Sequence, residues 1–204
     1  MLLACAAIPI VETWDLPKRP LGDVVGFSNR EAGAQMVRYL HERGRRCIGF
    51  IGGETNGDPG GAQRREGFEH AVRELGLSSG RIIATGKPPV SMAQGAEALK
   101  AMLKTWPEVD AIVCVSDLSA FGVLAECQRR GVDVPGRIAI AGFGDFEVAR
   151  FCHPRLTTIA VDCAGIGRRA ADVALAALEA RNRGQAREPE TARIEFRVVA
   201  RETA

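Results

Sequence analysis

The chain of 204 residues is 46% hydrophobic and 25% charged, ordinary values for a globular protein able to bury one large core or two small ones without staples. A formal net charge of +2 and 5% aromatic residues provide neither a broad basic face nor a stacking platform, so nucleic-acid binding by this polypeptide itself is not expected. Six cysteines without a CxxC or a close Cys/His pairing argue against a disulfide framework or zinc site and for a reduced, cytoplasmic setting, and no apolar run reaches membrane-spanning length.

Met1–Cys5 has the small-residue-then-cysteine ending of an exported lipoprotein leader. It lacks the basic start and the apolar segment of about 7–15 residues that export requires. Residues 2–7 read instead as the end of a helix whose beginning is missing, followed by a short buried strand at Ile8–Val11. A proline-bearing loop leads to a strand at Asp23–Phe27. Ser28 or Asn29 then caps a helix that runs to about Arg43 and stops at Gly44.

Cys47–Ile51 is the next apolar strand, and Gly52–Gly61 is a polar glycine loop ahead of a helix from Ala62 to about Leu75. The loop fits neither G-x-G-x-x-G nor a phosphate loop ending in G-K-[ST], so no nucleotide cofactor is implied. A strand at Arg81–Thr85, a helix capped by Ser91, a strand at Ala111–Val115 and a helix opened by Asp117 follow. Ile138–Ala141, bounded by glycines, is another buried strand. Beyond it lie the turn Gly142–Asp145, a long alanine-rich helix at Ala164–Arg181, a polar linker at Arg183–Pro189 and a final strand at Ile194–Val199. Strands and helices alternating in this way give an α/β fold with parallel sheets and right-handed crossovers.

Ligands in open α/β sheets bind beyond the carboxyl ends of the strands. Gly142, Gly144 and Asp145 follow one such strand; two glycines permit the turn, and Asp145 either offers an acceptor outward or caps the turn. Ser116 and Asp117 follow another strand end, with Asp117 equally suited to ligand contact and to helix capping. Arg64 sits in the first turn of the helix from Ala62, where exposed amides favour an anion, and its guanidinium fork suits a carboxylate or vicinal hydroxyls. His41, His70 and His153 are scattered, and no nucleophile-base pair or carboxylate pair assembles, so an enzyme is not expected.

The stretch GFGDFEVARFCHPRLTTI, with VVGFSNREAG, GRRCIGFIGG, RREGF and DAIVCVSDLSAFGVL, resembles the LacI/GalR family of bacterial transcription regulators over nearly the whole chain. VETWD (11–15), Ser116-Asp117 and Gly144-Asp145 resemble its gluconate-repressor branch. The resemblance implies a periplasmic-binding-protein-like fold of two flavodoxin-like lobes. Residues 1–44 and 159–189 would form an incomplete N-terminal lobe, residues 45–158 and 190–204 the C-terminal lobe. The family's helix-turn-helix DNA reader is absent from these residues, so operator DNA would be bound only through a preceding segment.

By the same resemblance Arg64 holds the family's effector-contacting arginine position, and Glu31 faces the cleft from the other lobe. Ser116 stands where the family carries asparagine, and Gly144 where it carries its first, ligand-contacting aspartate. Both changes reduce hydrogen bonding to a neutral sugar, and with Arg64 present the expectation is an anionic effector, a sugar acid such as gluconate. The function implied is effector sensing and homodimerisation in a repressor whose ligand-linked lobe closure controls DNA binding. The alternative is a stand-alone sugar-binding protein of a transport system, which shares the fold.

Overall fold

The computed structural model describes residues 8–53, 57–78 and 80–204, so the helix end expected at residues 2–7 and part of the glycine loop lie outside the described residues. The chain divides into two compact units. One comprises residues 8–28 with Val161–Phe196, the other Asn29–Ala160 with Arg197–Ala204.

In the first unit three parallel strands run in the order β1 (Val11–Thr13), β2 (Asp23–Gly26), β8 (Thr191–Arg193), and helix α6 (Cys163–Asn182) packs on β1 and β2. Every residue of β2 is buried, as a central parallel strand requires. Phe27 fills the adjoining core between the rings of Trp14 and Phe196, with centroids 6.4 and 6.0 Å away. Asp23, buried at the strand start, accepts from the Glu190 amide at 2.7 Å and pairs with Arg187, so its charge is compensated.

The second unit carries a six-stranded sheet in the order β4 (Ile82–Ala84), β3 (Ile48–Gly52), β5 (Ala111–Cys114), β6 (Ala139–Phe143), β7 (Thr157–Val161), β9 (Phe196–Val199). Pairings among β4, β3, β5, β6 and β7 are parallel. Ile51, Leu99, Met102, Ile112, Leu124, Ile138, Ile140 and Leu156 form its core. Helices α1 (Asn29–Glu42) and α2 (Pro59–Glu74) pack together, as do α3 (Met92–Thr105) and α4 (Asp117–Arg129). Each pair meets through glycines: a Cβ on Gly33 would lie 2.1 Å from the Arg64 carbonyl oxygen, and one on Gly67 1.8 Å from that of Arg30. In the other pair Gly95 faces Ser119 and Gly122 faces Met92, at 2.3 and 1.9 Å by the same measure.

Several boundaries differ from the sequence reading. Residues 29–44, expected with the first lobe, lie in the second unit because the glycine contact binds α1 to α2. The first strand is Val11–Thr13 rather than Ile8–Val11, the expected last strand is β9, beginning at Phe196 rather than Ile194, and an unforeseen strand, β8, precedes it in the other sheet. Helix α2 begins at Pro59, three residues before Ala62, with Asp58 as its N-cap; proline suits the first helical position because its missing N–H is one that a helix start leaves unbonded anyway.

Candidate functional site

In the second unit the chain leaves β3 toward one side of the sheet, to β4, and later runs from β3's other neighbour, β5, to β6 and β7. The crevice at such a reversal lies beyond the carboxyl ends of β3 and β5. The start of α2 follows β3 there, Ser116 follows β5, and the Gly144–Asp145 turn follows β6.

Arg64 sits in the second turn of α2 rather than the first, a consequence of the earlier helix start. Its guanidinium carbon stands 4.1 Å from the centre of the Phe143 ring, and its Nη1 donates to Asn29 Oδ1 at 2.6 Å. Asp58 Oδ2 lies 3.8 Å from Nη2. The ring holds the guanidinium plane and Asn29 fixes its rotation, so a normally flexible side chain is pre-set in one orientation. The expectation that the α2 amides await an external anion changes, because Asp58 Oδ1 already accepts from the Gly61 amide at 2.8 Å.

Ser116, not Asp117, caps α4, in a reciprocal arrangement with Ser119. Asp117 is fully buried. Its carboxylate accepts from the Phe146 amide at 2.7 Å and from Thr158 Oγ1 at 2.6 Å, tying the β6 turn to α4 and β7. Burial pushes its pKa up, and the two hydrogen bonds offset this in part. Asp117 therefore braces the turn from inside. Asp117→Ala strands the Phe146 amide and the Thr158 hydroxyl, and is expected to cost about 2–4 kcal/mol; urea unfolding would measure it, and a loss below about 0.5 kcal/mol would remove the bracing role.

Gly144 adopts φ of +124°, which favours glycine. A Cβ there would come within 2.6 Å of the Phe146 ring, so the space of a side chain at this position belongs to Phe146. Asp145, at φ of +52°, is held by Arg150 at 2.7 Å and by Arg201. Burial raises its pKa, but the hydrogen bonds from the two arginines outweigh this and keep the carboxyl below its usual range. Its charge is thus spent within the protein. Glu31, expected to face the cleft from the other lobe, lies in the second unit on exposed α1 surface. It accepts from Arg38 at 2.7 Å, and Arg38 also reaches Glu74 at 2.9 Å, joining α1 to α2.

The structure thus brings Arg64, Ser116, Gly144 and Asp145 to one sheet edge, assigns Asp117 to support, and leaves Glu31 in a helix-helix ion network. Sequence reasoning missed Phe143, Asn29 as an Arg64 partner, Asp58 and Arg201. Of these only Asp58 carried a local signal, the Asp-Pro pair that starts a helix. Among the described residues no group of three or more His, Cys, Asp or Glu is placed to hold a metal, and no helix is long and apolar enough to cross a membrane.

Residues 37–204 match the family model described as "Periplasmic binding protein-like domain". The chain is 35% identical over 175 residues to the HTH-type transcriptional regulator GntR of Pseudomonas aeruginosa, covering 86% of this chain and 50% of that protein. To GntR of Escherichia coli it is 32% identical over 158 residues, covering 78% and 46%. It therefore spans about half the length of the curated relatives it matches. Among solved structures, a LacI family transcriptional regulator from Silicibacter pomeroyi superposes with a TM-score of 0.91 at 39% identity, over 99% of this chain and 72% of that one. The regulator GntR from Chromobacterium violaceum superposes with a TM-score of 0.87 at 35% identity over the same shares. With this agreement in sequence and in fold, the chain belongs to the LacI family of transcriptional regulators and corresponds to its effector-binding region.

Proposed function

We propose that this chain is the sensor of a LacI-type repressor and that its effector is a sugar acid such as gluconate, received by Arg64. The single observation carrying this reading is the guanidinium pre-set between Phe143 and Asn29 at the carboxyl edge of the sheet. A carboxylate meeting it forms charge-assisted hydrogen bonds, which are roughly twice as strong as neutral ones. The turn after β6 offers little to a neutral sugar: Gly144 has no side chain and the Asp145 carboxylate is committed to Arg150 and Arg201. Relatives that are regulators favour sensing over transport.

In the intact regulator, effector binding shifts the population between two states of this region, and operator affinity changes reciprocally. Operator contact belongs, in this reading, to the part of the relatives' length that these residues do not span. The regulator acts in the cytoplasm as a homodimer. Isothermal titration with D-gluconate and D-glucose tests the effector class. Gluconate is expected to bind at least about tenfold more tightly, a difference of about 1.4 kcal/mol; equal affinities, or a preference for glucose, would sink the sugar-acid reading.

A further inference from the structure

The charge that an effector meets at Arg64 is not that of a lone arginine. Asp58 Oδ2 stands 3.8 Å from Arg64 Nη2, with the two side chains 33% and 14% exposed. At that separation the two groups act on each other through charge rather than through a hydrogen bond. Asp58 has little freedom to leave. It is the N-cap of α2, its Oδ1 accepts from the Gly61 amide at 2.8 Å, and Pro59 follows it. Its Oδ2 also lies against the first helical turn, 2.1 Å from where a Cβ on Gly61 would stand. The carboxylate that caps the helix therefore also sets the electrostatics of the arginine one turn further on. Nearby, Arg150 and Arg201 outnumber Asp145 two to one, so that turn adds no free negative charge.

We infer that Asp58 is a specificity-determining residue that limits the effector to a single negative charge. This rests on the reading that Arg64 receives the effector's carboxylate. Arg64 and Asp58 together are neutral, so a monocarboxylate sugar acid leaves the cluster with one net negative charge. A dicarboxylate or phosphorylated analogue leaves it with two or more, beside a carboxylate that the helix start holds in place. Like charges at such distances in a partly desolvated site repel appreciably. Asp58 thus excludes the more highly charged acids while Arg64 admits the singly charged one.

The test uses Asp58→Asn, because asparagine caps a helix as well as aspartate does and keeps the acceptor for Gly61. The probes are D-gluconate and D-glucarate, which share a six-carbon skeleton and carry one and two carboxylates. Titration calorimetry of the wild type is expected to show gluconate preferred. Asp58→Asn is expected to tighten gluconate by about fivefold, equal to about 1 kcal/mol, and glucarate by more, so that the preference narrows. If Asp58→Asn binds both acids no more tightly than the wild type while melting at the same temperature, the inference is overturned. Asp58→Ser, another uncharged cap, repeats the measurement if the asparagine variant does not fold. A wild type that binds neither acid defeats the sugar-acid reading instead. Inorganic sulfate at matched ionic strength then decides on Asp58, since tighter sulfate binding by Asp58→Asn upholds its charge control and unchanged binding refutes it.

Discussion

Gly67→Ala is expected to cost about 3 kcal/mol of stability, near the upper end for overpacking, and to lower the melting temperature by about 6–12 °C. The new Cβ would stand 1.8 Å from the Arg30 carbonyl oxygen, a backbone atom of α1 that no rotamer change can move. Relief requires α1 and α2 to separate, and the reciprocal contact of Gly33 with the Arg64 carbonyl, at 2.1 Å by the same measure, would open with it. The helix carrying Arg64 would shift against the one carrying Asn29, so effector affinity should fall alongside stability. Gly167→Ala is the control. This glycine lies in α6 with nothing within 4 Å of its would-be Cβ, and helix propensity alone should make the change neutral or stabilising by up to about 1 kcal/mol. Equal melting temperatures for the two variants would mean that the helices do not meet through their glycines.

Arg64→Ala is expected to weaken gluconate binding by at least about 100-fold, or about 2.7 kcal/mol, the value of a hydrogen bond to a charged group. The rest of the site cannot compensate. Asp145 and Asp117 are acidic and engaged with protein donors, and Ser116 caps α4. Arg64→Lys separates charge from shape: it restores a positive charge but not the planar fork of the guanidinium over Phe143. Its affinity should fall between the wild type and the alanine variant. Circular dichroism melts of both variants establish that the fold survives. Wild-type affinity in a folded Arg64→Ala would place the effector elsewhere.

Strands β3, β5 and β6 were legible because each is an uninterrupted apolar run bounded by turn residues, the pattern of a parallel strand covered on both faces. The start of α3 was equally plain, since Ser91 and Gln94 form a reciprocal cap within four residues. Helix α5 (Glu147–Phe151) was not foreseen because five residues are too few to show a helical period. Strand β8 escaped for a like reason: Thr191–Arg193 is only three residues long and its two outer residues are exposed. The α2 start was misplaced because Gly60 and Gly61 suggest a loop, and here the Asp-Pro cap overrides them.

At the site, local sequence marked the residues but not their partners. Asp117 was visible as an acid after a strand, yet its role depends on Phe146 and Thr158, 29 and 41 positions away. Glu31 drew attention through the resemblance alone, and its partner Arg38 lies seven positions on, two turns along the same helix face. The resemblance suggested a missing aspartate at Gly144. The backbone there, at φ of +124° beneath the Phe146 ring, shows a position rebuilt around glycine instead.

The segment that completes the second unit comes last. After Ala160 the chain runs through the first unit and returns only at Arg197. The returning residues then seal the sheet's interior: Thr203 is fully buried, donates to the Ile140 carbonyl oxygen 63 positions back, and accepts from the Thr157 amide, while Arg201 reaches back 56 positions to Asp145. Closures over such long stretches slow folding, because loop entropy is lost before the contacts reward it. During synthesis from the N-terminus, residues 29–160 emerge well before their fastener. The turn at Asp145 can therefore reach its final form only when residues 197–204 have left the ribosome, so a chain stalled before them would display the second unit's sheet without the clasp of Arg201 on Asp145.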